Sequence, residues 1–288
     1  MYFYNRTDMA KQVEEVKYKR LWLIGVVLSA ILYFSGIIRF YIYYRKKVAK
    51  RSRTIILTYH RVRNDNIDSH ISVSTKNFES QMVYLKENFN VISLDTLIDN
   101  IGTKTDILMD NVAITFDDGY KDNFLNAYPI LRKHQLPASI FLISSLLGEK
   151  EEMLNVDDVK FMKSDGIYFG SHTRTHKTLT EIDINTATEE IHSSKIELER
   201  LLNEKIDFFA YPRGKRSHFN EDIKAQVKKS DYKAAFTTEN GEIEHEADLF
   251  ELKRIGIRNC PFFVFKTRVS GIFESRLFYA ARKVLKLT

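Results

Sequence analysis

The run Val112-Ala-Ile-Thr-Phe-Asp-Asp-Gly-Tyr120 leaves the chain few structural options. Val112, Ala113, Ile114 and Phe116 are apolar and suited to a short buried strand, and Gly119 breaks the run. Asp117 and Asp118 therefore stand where a strand hands over to a loop. Neighbouring carboxylates in such a place repel unless a positive group divides them. A bound metal does so, with one Asp as ligand and the other free to handle protons. Asp-Gly is also a common turn dipeptide, so the stretch read alone is compatible with a plain turn.

A second stretch, Gly170-Ser-His-Thr-Arg-Thr-His176, follows the apolar run Ile167-Tyr-Phe169. On a helical turn, the spacing of His172 and His176 puts both imidazoles on one face, within reach of one ion. Two His and one carboxylate make a three-ligand site with a position left for water, the arrangement of catalytic zinc. Cobalt, nickel and iron suit the same donors. The alternative is a pair of surface histidines.

The rest of the chain supplies the scaffold. Strand-like runs cover 54–58, 91–93, 138–143, 208–211, 233–237 and 252–257. Helical patterns cover 74–89, 95–100, 124–134 (despite Pro129), 154–163, 184–202 and 220–229. Phe78, Met82, Leu85 and Phe89 form the inner stripe of the first helix. The charges of the long helix 184–202 mark a solvated face. Alternation of strand and helix predicts an α/β fold with a parallel sheet, and periodicity leaves a barrel and an open sheet equally open.

Thr115-Phe-Asp-Asp-Gly119 followed by Ser171-His172-Thr-Arg-Thr-His176 resembles the first two motifs of the polysaccharide deacetylase family (NodB-homology domain, carbohydrate esterase family 4). Phe209-Ala-Tyr-Pro-Arg-Gly214 resembles its third motif. Ile55-Ile-Leu-Thr-Tyr-His-Arg-Val62 resembles the opening strand of the branch that includes poly-N-acetylglucosamine deacetylases. The resemblance runs from about Thr54 to about Arg258. It implies an irregular (β/α) barrel with fewer than eight strands, and hydrolysis of N-acetyl groups on an amino-sugar glycan. By match to the motifs, Asp118, His172 and His176 hold the metal and Asp117 is the general base. The resemblance also implies a backbone N–H near Tyr211 for the oxyanion, and Tyr211 and Pro212 beside the substrate. Tyr120 and Tyr211 either stack on sugar rings or pack the barrel.

The chain departs from the family pattern twice. It lacks the late Leu-x-His motif that supplies a general acid in many members. His60, at the end of the first strand, is the replacement that the branch resemblance implies; a parallel barrel gathers its chemistry at such strand ends. His218 and His245, in polar, loop-like surroundings, suit the role less. The arginine that often precedes the third motif is also missing, with Arg213 or Arg254 as stand-ins. A non-catalytic carbohydrate-binding protein on the same fold would have no need of both aspartates and both histidines.

Formal net charge is +6. The excess lies near the N-terminus and in the C-terminal tail, which suits a membrane surface, and no nucleic-acid motif accompanies it. The single cysteine, Cys260, permits no internal disulfide. Leu21 to Ile38 is uncharged and mostly apolar, long enough at ~1.5 Å per residue for most of a ~30 Å hydrocarbon core. Tyr41, Tyr43 and Tyr44 form an aromatic belt after it, and Arg45, Lys46 and Lys47 a basic collar. We expect residues 1–52 to hold an uncleaved single-pass anchor, with an interfacial or re-entrant helix as the alternative. Residues 53–260 form the catalytic domain, and 261–288 a basic amphipathic tail with Leu277, Ala281, Val284 and Leu285 on one face. Basic residues are more numerous after the apolar run than before it. That places the domain in the cytoplasm, whereas the resemblance implies a polymer outside the membrane.

Overall fold

The computed structural model describes residues 6–65, 70–101 and 110–273. They fall into two compact units, Arg51–Cys260 and the pair of segments that flank it. The amphipathic tail expected beyond Phe273 lies outside the described residues.

The flanking unit is helical. Helix α1 (Arg6–Phe34) ends at Ser35 and Gly36, and α2 (Ile37–Tyr43) begins immediately after, running on into a π-helical turn, Tyr44–Val48. Gly36 takes the left-handed conformation (φ 81°) that lets a chain leave a helix at little cost. The arms Arg20–Phe34 and Ile37–Val48 meet at a bend of 67°. The expected continuous helix over 21–38 is therefore broken. No single helix among the described residues is long and apolar enough to cross a membrane; the bent pair together meets that length and composition. Leu32, Ile38 and Ile272 form a small core with Leu28 and Ile42. The helix Phe262–Ser270 brings Phe263 against the rings of Tyr33 and Phe34.

The larger unit is built on parallel strands: β1 (Thr54–Tyr59), β2 (Arg61–Arg63), β3 (Ser72–Ser74), β4 (Asn90–Val91), β5 (Asn111–Phe116), β6 (Ala138–Leu142), β7 (Ile167–Ser171), β8 (Phe208–Ala210), β9 (Ala234–Phe236) and β10 (Ile255–Gly256). Seven follow one another round a curled sheet in the order β10-β1-β5-β6-β7-β8-β9, with β4 also on β5 and β2–β3 forming a separate pair. A bridge from Phe236 to Leu252 ties β9 to the stretch that leads into β10. The Thr237 N–H donates to the Leu252 carbonyl at 2.8 Å there, and the Leu252 N–H to Ala235 at 3.0 Å. The sheet thus curls back on itself as an α/β half-barrel.

The helices follow local signals. Ser74 caps α3 (Thr75–Asn88) by accepting the Asn77 N–H at 3.2 Å, and Phe78, Met82 and Leu85 are buried on its inner side. Helix α4 spans Leu94–Asn100. The single helix expected over 124–134 is two pieces: a π-helical turn, Asn123–Ala127, then α5 (Tyr128–His134). Pro129 has no N–H to continue an i→i−4 ladder, so it begins a helix rather than sitting inside one. Asn155 and Asp158 cap α6 (Val156–Lys163) reciprocally, Asp183 caps α7 (Ile184–Leu202), and Asn220 caps α8 (Glu221–Lys229).

Strand alternation decides what enters the interior. Ile56 and Ala113 join Phe141, Phe208, Ala210 and Phe236 in the inner core. Tyr59 and Phe116 face the other way and stack on each other beside Phe78 of α3. The same parity carried one step past each strand turns His60 and Asp117 inward, at neighbouring strand ends.

Candidate active site

Asp117 is buried, and its N–H donates to the Tyr59 carbonyl at 2.9 Å. Its carboxylate lies against Arg254, whose two terminal nitrogens donate to Oδ1 and Oδ2 at 2.7 Å each. Arg254 is itself fully buried. Its Nε donates to the Thr237 carbonyl at 2.9 Å and Nη1 reaches Thr115 Oγ1 at 3.2 Å. Burial alone would push the Asp117 carboxyl up. The Arg254 charge, with smaller contributions from His172 and His60, outweighs it and holds the group well below the usual carboxylate range. Of the two proposed stand-ins for the missing arginine, Arg254 occupies the place. Arg213 is exposed, and its charge faces His176 instead.

Asp118 takes a left-handed backbone (φ 73°), followed by Gly119 at φ 76°. The two kinks turn the chain so that Asp118 looks toward the end of β7. At that φ an L side chain is strained, and a Cβ on Gly119 would also press on Leu142 Cδ2 at 2.8 Å, so glycine is favoured there. His172 leaves β7 with its Nδ1 at 2.8 Å from the Ala210 carbonyl. A carbonyl only accepts, so Nδ1 carries a proton and Nε2 is the ring atom turned toward Asp118. His172 Nε2 lies 3.5 Å and His176 Nε2 3.4 Å from Asp118 Oδ1. Burial, and then the neighbouring His172, push His176 down to about 4, so it is neutral at pH 7.

The Asp118 oxygen is buried without a hydrogen-bond partner. An orphaned buried acceptor costs about 1–3 kcal/mol, and here two imidazole Nε2 atoms converge on it. The three ligand atoms lie within 4.8 Å of one another. The donor set and the orphaned oxygen fit a divalent cation.

The histidines do not share a helical turn. Residues after Ser171 form a loop in which Thr173 (φ 65°) and His176 (φ 63°) are left-handed. This doubly kinked path, rather than helix periodicity, brings the rings to 4.8 Å between centroids. Together with Asp118 and Arg213 (φ 60°), four non-glycine residues of the site occupy a strained region; such residues cost about 1–3 kcal/mol each and cluster where function requires them.

Of the remaining candidates, His60 is half-buried on the side of Asp117, and its backbone carbonyl accepts from Asn123 Nδ2 at 2.8 Å. Tyr120 lies beside Asp118, with the Arg61 guanidinium 4.4 Å above its ring. Burial and the Asp118 charge raise its hydroxyl to about 12. Tyr211 is not a sugar platform. It faces outward by strand parity, stacks on Phe219 and donates its hydroxyl to the Phe250 carbonyl at 3.0 Å, fully buried. Its N–H is engaged by Phe236 at 3.0 Å. Pro212 is buried and has no N–H, so the first unengaged N–H of this turn is that of Arg213. His218 accepts the Lys215 N–H in a short turn, and His245 lines a cavity with Thr54 and Asn111, at the opposite ends of β1 and β5.

The family model for polysaccharide deacetylase matches residues 108–235. Over 217 residues the chain is 30% identical to YxkH of Bacillus subtilis (strain 168), named as a polysaccharide deacetylase, covering 73% of this chain and 74% of that one. The chain belongs to the polysaccharide deacetylase family. It is 26% identical over 257 residues to the poly-β-1,6-N-acetyl-D-glucosamine N-deacetylase of Staphylococcus aureus (strain MRSA252), covering 80% of this chain and 87% of the relative. The structure of the Streptococcus pyogenes deacetylase PplD in complex with acetate superposes with a TM-score of 0.66 at 27% identity, over 71% of this chain and 92% of that one. These relatives are hydrolases acting on carbon–nitrogen bonds.

The choice of Arg254 over Arg213 needs the fold: the Arg254–Asp117 pair joins residues 137 positions apart, and closure of the sheet through Leu252 brings them together. One further residue of this deacetylase is missed by sequence reasoning. The charge pattern of α7 predicts a solvated place for Glu190. It is buried and bonds the histidine loop through Thr175. Nothing in the charge pattern of α7 distinguishes it from its exposed neighbours.

Proposed function

We propose that this deacetylase removes N-acetyl groups from an amino-sugar glycan, using a divalent ion held by Asp118, His172 and His176. The observation that carries the reading is the convergence of three ligand atoms, one an orphaned buried oxygen, beside a carboxylate clamped by a buried arginine. Zinc suits the donors best, and cobalt, nickel and iron share them. When bound, the cation would supply Lewis-acid polarisation of a water and of the acetamide carbonyl.

The chain's own residues do the rest. Asp117 takes the proton from the attacking water as its oxygen bonds to the carbonyl carbon. Arg254 keeps that carboxylate ionised and fixes its plane, at the expense of basicity. The Arg213 N–H, the first unengaged one of the turn after β8, donates to the developing oxyanion. His60 gives a proton to the nitrogen as the C–N bond breaks, yielding acetate and a free amine. Tyr120 lies where a sugar would approach, one ring face taken by Arg61.

The name of the S. aureus relative supports a poly-β-1,6-N-acetylglucosamine substrate. A lipid-linked or cell-wall glycan reached from the cytoplasmic face is the second reading, favoured by the heavier basic flank from Arg39 to Arg53. Membrane attachment through α1 and α2 is supported by their exposed Leu23, Val27, Ile31, Phe34 and Phe40. The test is acetate release by the full-length protein in detergent, loaded with zinc or cobalt, from oligomers of both glycan types. Release that ceases with chelator and in His172→Ala is the expected result; release that survives both would refute the metal role.

A further inference from the structure

The ligand loop between His172 and His176 contains two left-handed residues and no regular structure, so something outside it must hold its shape. The largest single share of that hold comes from one residue of α7. The Glu190 carboxylate accepts the Thr175 N–H at 2.7 Å on Oε2 and the Thr175 hydroxyl on Oε1. Its backbone carbonyl accepts the Arg174 N–H at 3.1 Å. Three hydrogen bonds thus run from two consecutive loop residues to one glutamate. From the other side, the N–H groups of Ser144 and Ser145 donate to the Thr173 and Arg174 carbonyls at 3.2 and 3.0 Å. Within the loop, Thr173 Oγ1 accepts the His176 N–H at 3.0 Å.

We propose that Glu190 is the positioning residue that presets His172 and His176 for the cation. Burying a carboxylate is unfavourable unless donors replace water around it, and here both oxygens find donors that belong to the ligand loop. Charge-assisted bonds of this kind are the stronger class. Glu190 touches neither ligand atom nor Asp117, so its effect passes through loop shape alone. Glu197, two turns further along α7, extends the same contact by accepting Arg174 Nε at 2.8 Å. The inference rests on the metal-site reading above.

The test uses the full-length protein in detergent, titrated with Co2+ in competition with a chelator. The visible Co2+ spectrum and far-ultraviolet circular dichroism are recorded alongside. Glu190→Ala is expected to weaken Co2+ binding about 10–100-fold, the usual range for a partner behind a metal ligand, and to alter the visible spectrum while the fold signal is kept. Glu190→Gln, whose amide oxygen still accepts the Thr175 N–H, should bind closer to wild type than to the alanine variant. Thr175→Val removes one of the three bonds and should fall between. A folded Glu190→Ala with wild-type affinity and spectrum overturns the proposal. Should that variant not fold, wild-type affinity in Thr175→Val overturns it instead. Loss of Co2+ binding in His172→Ala is the control: if binding persists there, the metal-site reading itself fails and the positioning role with it.

Discussion

At the scale of single residues, the site divides its work between two adjacent aspartates with opposite surroundings. Asp117 is saturated by Arg254, whereas Asp118 offers a bare buried oxygen to two imidazole nitrogens. Replacing Asp117 by Asn should therefore lower kcat by about 10²–10⁴, the usual contribution of a general base, while Co2+ still binds with its wild-type spectrum. Steady-state rates and a Co2+ titration on the same preparation check both halves. Arg254→Met should do something different. The Asp117–Arg254 pair stabilises the fold fully above the ordinary Asp value of about 3.9, and that stability fades as pH falls toward the much lower folded value. Without the arginine, burial dominates and the Asp117 carboxyl rises. The acid limb of kcat/KM should then move to higher pH, and stability near neutrality should drop by about 3–5 kcal/mol, as for a buried pair broken on one side. A pH–rate profile and denaturant unfolding measure these; an unmoved acid limb would argue against the clamp.

At the scale of elements, α8 is tied to the closing segment through one lysine. Lys224 Nζ lies 3.0 Å from Asp248, 2.8 Å from Glu251 and 2.9 Å from Glu221. Burial alone would raise the Asp248 and Glu251 carboxyls. The Phe250 N–H on Asp248, Arg216 on Glu251 and Lys224 on both outweigh it and hold them below their ordinary values. A depressed carboxylate stabilises above its unfolded value and loses that contribution as pH falls through the folded one. Thermal unfolding of Lys224→Met followed from pH 6 to pH 3 should accordingly show a shallower loss of Tm than wild type.

Elements were also where the sequence spoke most clearly. The helices that begin near Thr75, Val156, Ile184 and Glu221 and the strand ending before Asp117 stand out because each is a local pattern. The meeting of Asp118, His172 and His176 beside Asp117 was legible for the same reason. Their geometry was not. The histidine spacing suggests a helix, and left-handed residues at Thr173 and His176 deliver the same convergence by another path. For Tyr211 a short motif left sugar stacking and barrel packing both open. The parity of β8, set by which of Phe208 and Phe209 enters the core, turns it outward. Arg254 could be named but not chosen over Arg213, since the choice depends on contacts far apart in sequence.

At the scale of the whole molecule, a long N-terminal helix with exposed apolar side chains accompanies a catalytic unit built on a curled sheet. The break at Gly36 replaces the expected straight span with two arms. If these arms bind lipid, paired replacements on the exposed stripe, Val27→Asp with Ile31→Asp, should release the protein from anionic vesicles in a flotation assay. Acetate release in detergent should stay unchanged. Equal flotation of the variant and wild type would remove α1 from the membrane contact.

The most direct test of the central claim is acetate release from a β-1,6-linked N-acetylglucosamine oligomer by full-length protein that has first been stripped of metal, then reloaded with one equivalent of zinc. The account predicts no acetate from the stripped protein, recovery on reloading, and no recovery when the reloaded protein carries Asp118→Ala. Undiminished release from the stripped protein, or full recovery in Asp118→Ala, would contradict it.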